Sequence, residues 1–227
     1  HVILDNAYPK MIFLETVSAR YVMDVVDMIA RHAEHSDEFL INVITKSGST
    51  TETIANFEVL YESLSQHFGD IKESVVIITD EHSPLWIAGG EAGFARLAIP
   101  KMVGGRYSVF SAVGLFPLLC AGIDIDELLN GARAMRKICV SSDVWVNPAM
   151  KSALTMHAHR AQGMRIHNTF VFNQELSSVA MWYRQLLAES LGKKNSANNE
   201  EVREGILPIV SVGSIDLHSQ AQLYFAG

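Results

Sequence analysis

One short stretch concentrates the residues best suited to holding an anion: Lys46-Ser47-Gly48-Ser49-Thr50-Thr51-Glu52. It follows a mostly apolar run, Phe39-Leu40-Ile41-Asn42-Val43-Ile44, and precedes Ile54, Phe57, Tyr61, Leu64 and Phe68, which share one face of a helix. Where a strand hands over to a helix in this way, the first helical N–H groups have no intrahelical partners and sit at the positive end of the helix dipole. The hydroxyls of Ser47, Ser49, Thr50 and Thr51 add donors, Gly48 lets the backbone approach a ligand closely, and Lys46 brings a full charge. Ser49 and Glu52 also have the spacing of a capping box, so a turn that only caps a helix is the competing reading. The run lacks the GxxxxGK[ST] pattern of a nucleotide-binding P-loop.

The surrounding elements must hold that loop. Val22, Val25, Val26 and Ile29 predict a helix closed by Ser36 and Asp37, ahead of the strand over 39–44. Residues 75–78 and 95–99 read as two further strands, the second interrupted by Arg96. Strand, helix, strand in this order predicts parallel pairing and an α/β sandwich. Two helices follow, over 109–121 and from an Asp124 cap, and Asn147-Pro148 opens a second α/β pattern. There a helix is expected to about residue 162, a strand over 165–172, a helix over 177–191 and a strand over 206–212. The polar, Asn-rich stretch 193–201 reads as an exposed loop. Val2-Ile3-Leu4 reads as a strand already under way and the second layer has only two evident strands, so the natural protein is expected to be longer at both ends.

Composition narrows the function classes. A net charge of −7 disfavours a general nucleic-acid binder, so an anionic ligand needs a locally built positive site such as the one above. The longest nearly apolar run, 109–123, carries Ser111, Gly114, Pro117 and Gly122 and falls short of the roughly 20 residues of a membrane span. Cys120 and Cys139 lie in apolar surroundings and are expected to be buried thiols in a reducing compartment, placing the protein in the cytoplasm. His157 and His159 are two apart on a helix and face differently, so no metal or other cofactor is expected.

Four segments carry a resemblance. Thr45-Lys46-Ser47-Gly48-Ser49-Thr50 resembles the phosphate loop of sugar isomerase (SIS) domains, and Val103-Gly104-Gly105-Arg106-Tyr107-Ser108 is similar to the GGR[FY]S signature of the glucose-6-phosphate isomerase family. Trp182-Tyr183-Arg184-Gln185-Leu186-Leu187-Ala188-Glu189-Ser190-Leu191-Gly192-Lys193 resembles that family's W-x-x-Q-L-x-x-E-S-x-G-K helix. Val212-Gly213-Ser214-Ile215-Asp216-Leu217-His218-Ser219-Gln220 resembles its VGT-x-DQHSQ segment. The four occur in family order and span nearly the whole chain.

The resemblance implies two SIS-type three-layer α/β/α sandwiches with mainly parallel sheets, both truncated: one over 1–121, a helical connection over 122–146, and a second over 147–227. It implies an aldose–ketose isomerase acting on glucose 6-phosphate and fructose 6-phosphate in glycolysis and gluconeogenesis, with no cofactor. Thr45, Lys46, Ser47 and Thr50 would hold the phosphate, and Glu52 is counted with them as a substrate-side candidate. Glu189 would be the base that moves a proton between C1 and C2, Arg106 would stabilise the developing charge beside Gly105, and Gln185 would contact substrate. Gln185 and Glu189 are one helical turn apart and point the same way. His218 would assist ring opening from the partner subunit of a homodimer. Thr45 stands for the family's serine and Leu217 for the glutamine before the histidine; the family's Gly-Gly-Ser turn and C-terminal-helix lysine are not in this sequence. The alternatives are a non-catalytic sugar-phosphate sensor and an isomerase that also accepts mannose 6-phosphate.

Overall fold

The computed structural model describes residues 9–227, so the strand expected at Val2-Ile3-Leu4 lies outside the described residues. The chain divides into two compact units, the first ending at Leu129 and the second running from Asn130 to Gly227.

The first unit is built on alternation. Helix α1 (Ala19–His32) starts at Ser18, whose hydroxyl accepts from the Tyr21 N–H, and buries Val22, Val25 and Val26. Strand β1 (Ile41–Ile44) leads through the hydroxyl loop into α2 (Thr51–Phe68), then β2 (Val75–Asp80), α3 (Pro84–Glu91) and β3 (Ala95–Ile99). The strands pair in parallel in the order β1-β2-β3, with Ile41 opposite Val75 and Val76 opposite Ala95. Because successive side chains of β2 face opposite ways, Val75 and Ile77 pack with α1 and α2 residues such as Val25 and Leu64. Val76 and Ile78 pack on the other face with Val113 and Phe116 of α4 (Ala112–Cys120). The result is helix, sheet, helix, as the sequence predicts. The outer edge of β1 pairs with no strand among the described residues; beside it lies a cavity of about 1090 Å³ lined by Met11, Phe13, Leu40 and Asn42.

Helix α3 has no clear periodic signal: it is short, and Gly89 and Gly90 occupy its last turn. It forms because Ser83 caps it and Pro84 fits its first turn. Arg96, the polar interruption of β3, stacks over the Trp86 ring and donates to the Trp86 carbonyl at 2.7 Å, so it ties β3 to α3.

Helix α5 (Ile125–Cys139) follows, capped as expected by Asp124, whose carboxylate accepts from the Asp126 and Glu127 N–H groups. The second unit continues with α6 (Pro148–Ala161), capped by Asn147, then β4 (Ile166–Val171) and α7 (Ser177–Leu191). Next come β5 (Lys193–Asn195), β6 (Glu201–Glu204), β7 (Leu207–Val212) and α8 (Ile215–Ala226). Strands β4 and β7 pair in parallel beneath α7, which buries Ala180 and Leu187.

Two expectations are corrected. The stretch read as an exposed loop at 193–201 is exposed, but β5 and β6 pair antiparallel within it; the turn is held by Ser196, whose hydroxyl accepts from the Asn198 and Glu200 N–H groups. Its polar composition hides a hairpin because neither strand has a buried face. The cysteines are not core thiols: Cys120 is exposed and Cys139 is half-buried, each being the last residue of its helix, and both are free. Among the described residues no helix is long and apolar enough to cross a membrane.

Ile77 is fully buried in the middle of β2, where its neighbours cannot collapse into a vacated volume. Ile77→Ala is expected to lower unfolding stability by about 2–5 kcal/mol, measured by denaturant titration; a change under about 0.5 kcal/mol would contradict this packing.

Candidate active site

The hydroxyl loop grows directly out of the β1–β2 ladder. The Thr45 N–H donates to the Ile78 carbonyl at 3.1 Å, and the Asp80 N–H donates to the Lys46 carbonyl at 3.1 Å, so the pairing outlasts the strand by two residues. Gly48 then turns with φ +66°, and a Cβ there would stand 2.5 Å from Ser83 Oγ; only glycine lets the loop lie on the cap of α3. Behind it the fully buried Thr79 places its hydroxyl 3.3 Å from the Lys46 carbonyl and 3.0 Å from Ser83 Oγ.

The loop's own hydroxyls gather at the start of α2. Thr45 Oγ1 and Thr50 Oγ1 are 2.7 Å apart, and Ser49 donates through both its N–H and its hydroxyl to Ser47 Oγ, at 3.3 and 3.0 Å. The capping-box reading is corrected: Thr50, not Ser49, is the N-cap, no side chain caps the helix, and the Ser49 hydroxyl turns to Ser47 instead. Glu52 is exposed in the first turn of α2 and belongs to no such box. The start of an 18-residue helix is thus uncapped, beside exposed hydroxyls, an arrangement chemically able to donate to an oxyanion. Lys46 Nζ donates to the Val103 carbonyl at 2.5 Å and to the Lys101 carbonyl at 3.4 Å.

Those carbonyls lead into the glycine-arginine segment, a 3₁₀ turn over Gly105–Phe110. Two serines brace it from within. Ser108 donates to the Gly105 carbonyl at 2.5 Å, and Ser111 donates to the Ser108 carbonyl at 2.6 Å while capping α4. A Cβ on Gly114 would stand 2.2 Å from the Val109 carbonyl, so α4 can close on this turn only with glycine there. The Arg106 guanidinium lies over the Tyr107 ring, 4.9 Å from its centre, a stacked placement that limits its rotamers.

In the second unit, Gln185 Nε2 donates to Glu189 Oε1 at 2.9 Å, so the two residues one turn apart on α7 do meet, on its exposed side. His218 is exposed in the first turns of α8, its N–H on the Ser214 carbonyl. A network invisible to local pattern fixes α8 to β7. Asp216 accepts from the Val212 N–H at 2.6 Å and from Gln220 and Ser219; Gln220 accepts from the Tyr224 hydroxyl, which lies 2.9 Å from the buried Ser211. The Val212 N–H is the main reason the Asp216 carboxyl sits below the usual carboxylate range; Gln220 and Ser219 add to it against opposing desolvation. The structure therefore sets the Thr45 hydroxyl beside that of Thr50 and the Ser47 hydroxyl beside that of Ser49, sends the Lys46 ammonium to the Lys101 and Val103 carbonyls just ahead of the Gly105-Arg106 turn, and pairs Gln185 with Glu189.

The profile of the phosphoglucose isomerase family matches residues 5–227. The chain belongs to the phosphoglucose isomerase family. It is 33% identical over 219 residues to a probable glucose-6-phosphate isomerase of Methanococcus maripaludis, covering 96% of this chain and 47% of that protein. To a glucose-6-phosphate isomerase of Thermus thermophilus it is 38% identical over 190 residues, covering 83% and 44%. Among solved structures, a hypothetical protein from Thermus thermophilus superposes with a TM-score of 0.83 at 34% identity, covering 95% of this chain and 50% of that one. A glucose-6-phosphate isomerase from Chlamydia trachomatis gives 0.76 at 26% identity, covering 88% and 39%. The chain thus spans about half the length of the relatives it matches. The α/β fold with parallel sheets seen here is shared with both of these solved structures.

Two outcomes follow. Gly48→Ala forces a Cβ into Ser83 and a strained φ, so it is expected to weaken inorganic phosphate binding at least about 10-fold, a loss of about 1.4 kcal/mol, by calorimetry; unchanged affinity would separate the loop from anion binding. Because the folded Asp216 carboxyl is held below its unfolded value of about 4, its contribution is complete above that value. It is lost as pH falls through the lower folded value. Protection of the α8 amides, taken relative to the free-chain exchange rate at each pH, is expected to fall below about pH 4 in the wild type, and to be already low and flat with pH in Asp216→Ala.

Proposed function

We propose that this chain is part of an aldose–ketose isomerase that interconverts glucose 6-phosphate and fructose 6-phosphate through a cis-enediolate. The observation that carries the reading is the exposed start of α2, which no side chain caps and which follows a loop bearing the Ser47, Ser49 and Thr50 hydroxyls, in a chain of the phosphoglucose isomerase family. Thr45, Lys46, Ser47 and Thr50 hold the phosphate, with Glu52 at the loop's margin. Glu189 takes the proton from C2 of the open-chain aldose and returns it to C1, and Gln185 positions the carboxylate through its amide. Arg106, beside Gly105, faces the oxyanion that develops between those steps, where fixed charge contributes most. His218 assists ring opening from the partner subunit of a cytoplasmic homodimer. Residues 1–121 and 147–227 act as two SIS-type sandwiches joined by 122–146.

The names of the relatives support this choice of substrate, and the carboxylate on α7 supports turnover over sensing, because a sensor needs only the phosphate loop. An assay on the full-length protein, coupling glucose 6-phosphate formation from fructose 6-phosphate to a dehydrogenase, tests it. Glu189→Gln is expected to lower kcat by about 10²–10⁴-fold with substrate binding retained. Binding without turnover in the wild type would favour the sensor, and full activity in Glu189→Gln would overturn the mechanism. Mannose 6-phosphate run in parallel fixes the breadth of specificity.

A further inference from the structure

We propose that Lys46 is a strut that joins the phosphate loop to the turn carrying Arg106, so that its main role is positioning Arg106; this rests on the isomerase reading above. Both ends of the strut are fixed. At its base, the Lys46 carbonyl accepts from the Asp80 N–H at 3.1 Å and from the hydroxyl of fully buried Thr79 at 3.3 Å. Thr79 is in turn 3.0 Å from Ser83, on which Gly48 rests. At its tip, the ammonium donates to the Val103 carbonyl at 2.5 Å and the Lys101 carbonyl at 3.4 Å.

Residues 100–104 lie between β3 and the 3₁₀ turn and join no helix or strand; Met102 is 94% exposed, and the Val103 N–H closes one turn on the Pro100 carbonyl. Gly104 and Gly105 follow immediately and open the 3₁₀ turn, the Gly104 carbonyl accepting from the Tyr107 N–H and the Gly105 carbonyl from the Ser108 hydroxyl, and then comes Arg106. A charged donor on the carbonyl just before that pair sets where the pair begins.

The consequence is a division of labour. Two of the three ammonium N–H groups point at carbonyls, leaving at most one for an anion. The hydroxyls and the start of α2 therefore carry most of the phosphate affinity. Arg106 acts on charge present only at the transition state, so its misplacement lowers kcat and leaves binding largely intact. Thr79 is a positioning residue one step further back, acting through the Lys46 main chain.

The test uses the full-length protein with Lys46→Met, Arg106→Gln and the double variant, assayed for isomerisation, for inorganic phosphate affinity and by hydrogen exchange. Lys46→Met is expected to lower kcat about 10–100-fold while phosphate affinity falls less than about 5-fold. The double variant is expected to be no slower than Arg106→Gln alone, within about 2-fold. Amides of 103–107 are expected to exchange about 10-fold faster in Lys46→Met, with β2 amides unchanged as the check on folding. Lys46→Arg, which keeps a cationic donor, is expected to restore protection at 103–107. Multiplicative losses in the double variant overturn the strut, as do unchanged exchange at 103–107 or a fall in phosphate affinity that accounts for the whole effect at constant kcat. A wild type without turnover overturns the isomerase reading alone, since the exchange arm still judges the strut.

Discussion

The candidate site depends on a short extension of one parallel strand pair. Where β1 stops being a strand, its pairing with β2 continues through Thr45 and the Lys46 carbonyl, so the loop leaves the sheet with its backbone already fixed. A loop at the carboxyl end of a buried parallel strand is where open α/β sheets place ligands. Here the following helix starts without a side-chain cap, and the donors that a cap would satisfy remain for an anion. Burial of β2 on both faces supports this: Val75, Ile77 and Ile78 are wholly inaccessible, and the ladder cannot shift register without exposing them.

Much of this could be read locally. The position of the hydroxyl loop between strand and helix, helices α1 and α2, and the Gln185–Glu189 meeting all follow from spacing within a few residues. What local pattern could not supply was long-range or unusually short. Thr79 and Ser83 look like ordinary strand-end and cap residues; only folding puts them behind Lys46 and Gly48. Helix α3 was hidden by Gly89 and Gly90, and the β5–β6 hairpin by the lack of any buried face. The capping-box spacing of Ser49 and Glu52 was real but unused, because Ser49 found a nearer partner in Ser47.

The two units carry different kinds of side chain. The first offers hydroxyl and backbone donors at the loop and two cations, Lys46 and Arg106. The second offers a carboxylate held by a glutamine on a rigid helix, and a histidine on α8 anchored through Asp216. Rigidity is the common thread: loop, turn and helices are braced by hydrogen bonds from behind, so their outward groups need little reorganisation to meet a ligand.

The most direct test of this account is a crystal structure of the full-length protein with fructose 6-phosphate bound. The phosphate is expected within about 3 Å of the Ser47 and Thr50 hydroxyls and the first N–H groups of α2, with the Glu189 carboxylate facing C1 and C2. A phosphate bound away from the 45–50 loop, or a Glu189 carboxylate turned away from those carbons, would contradict it.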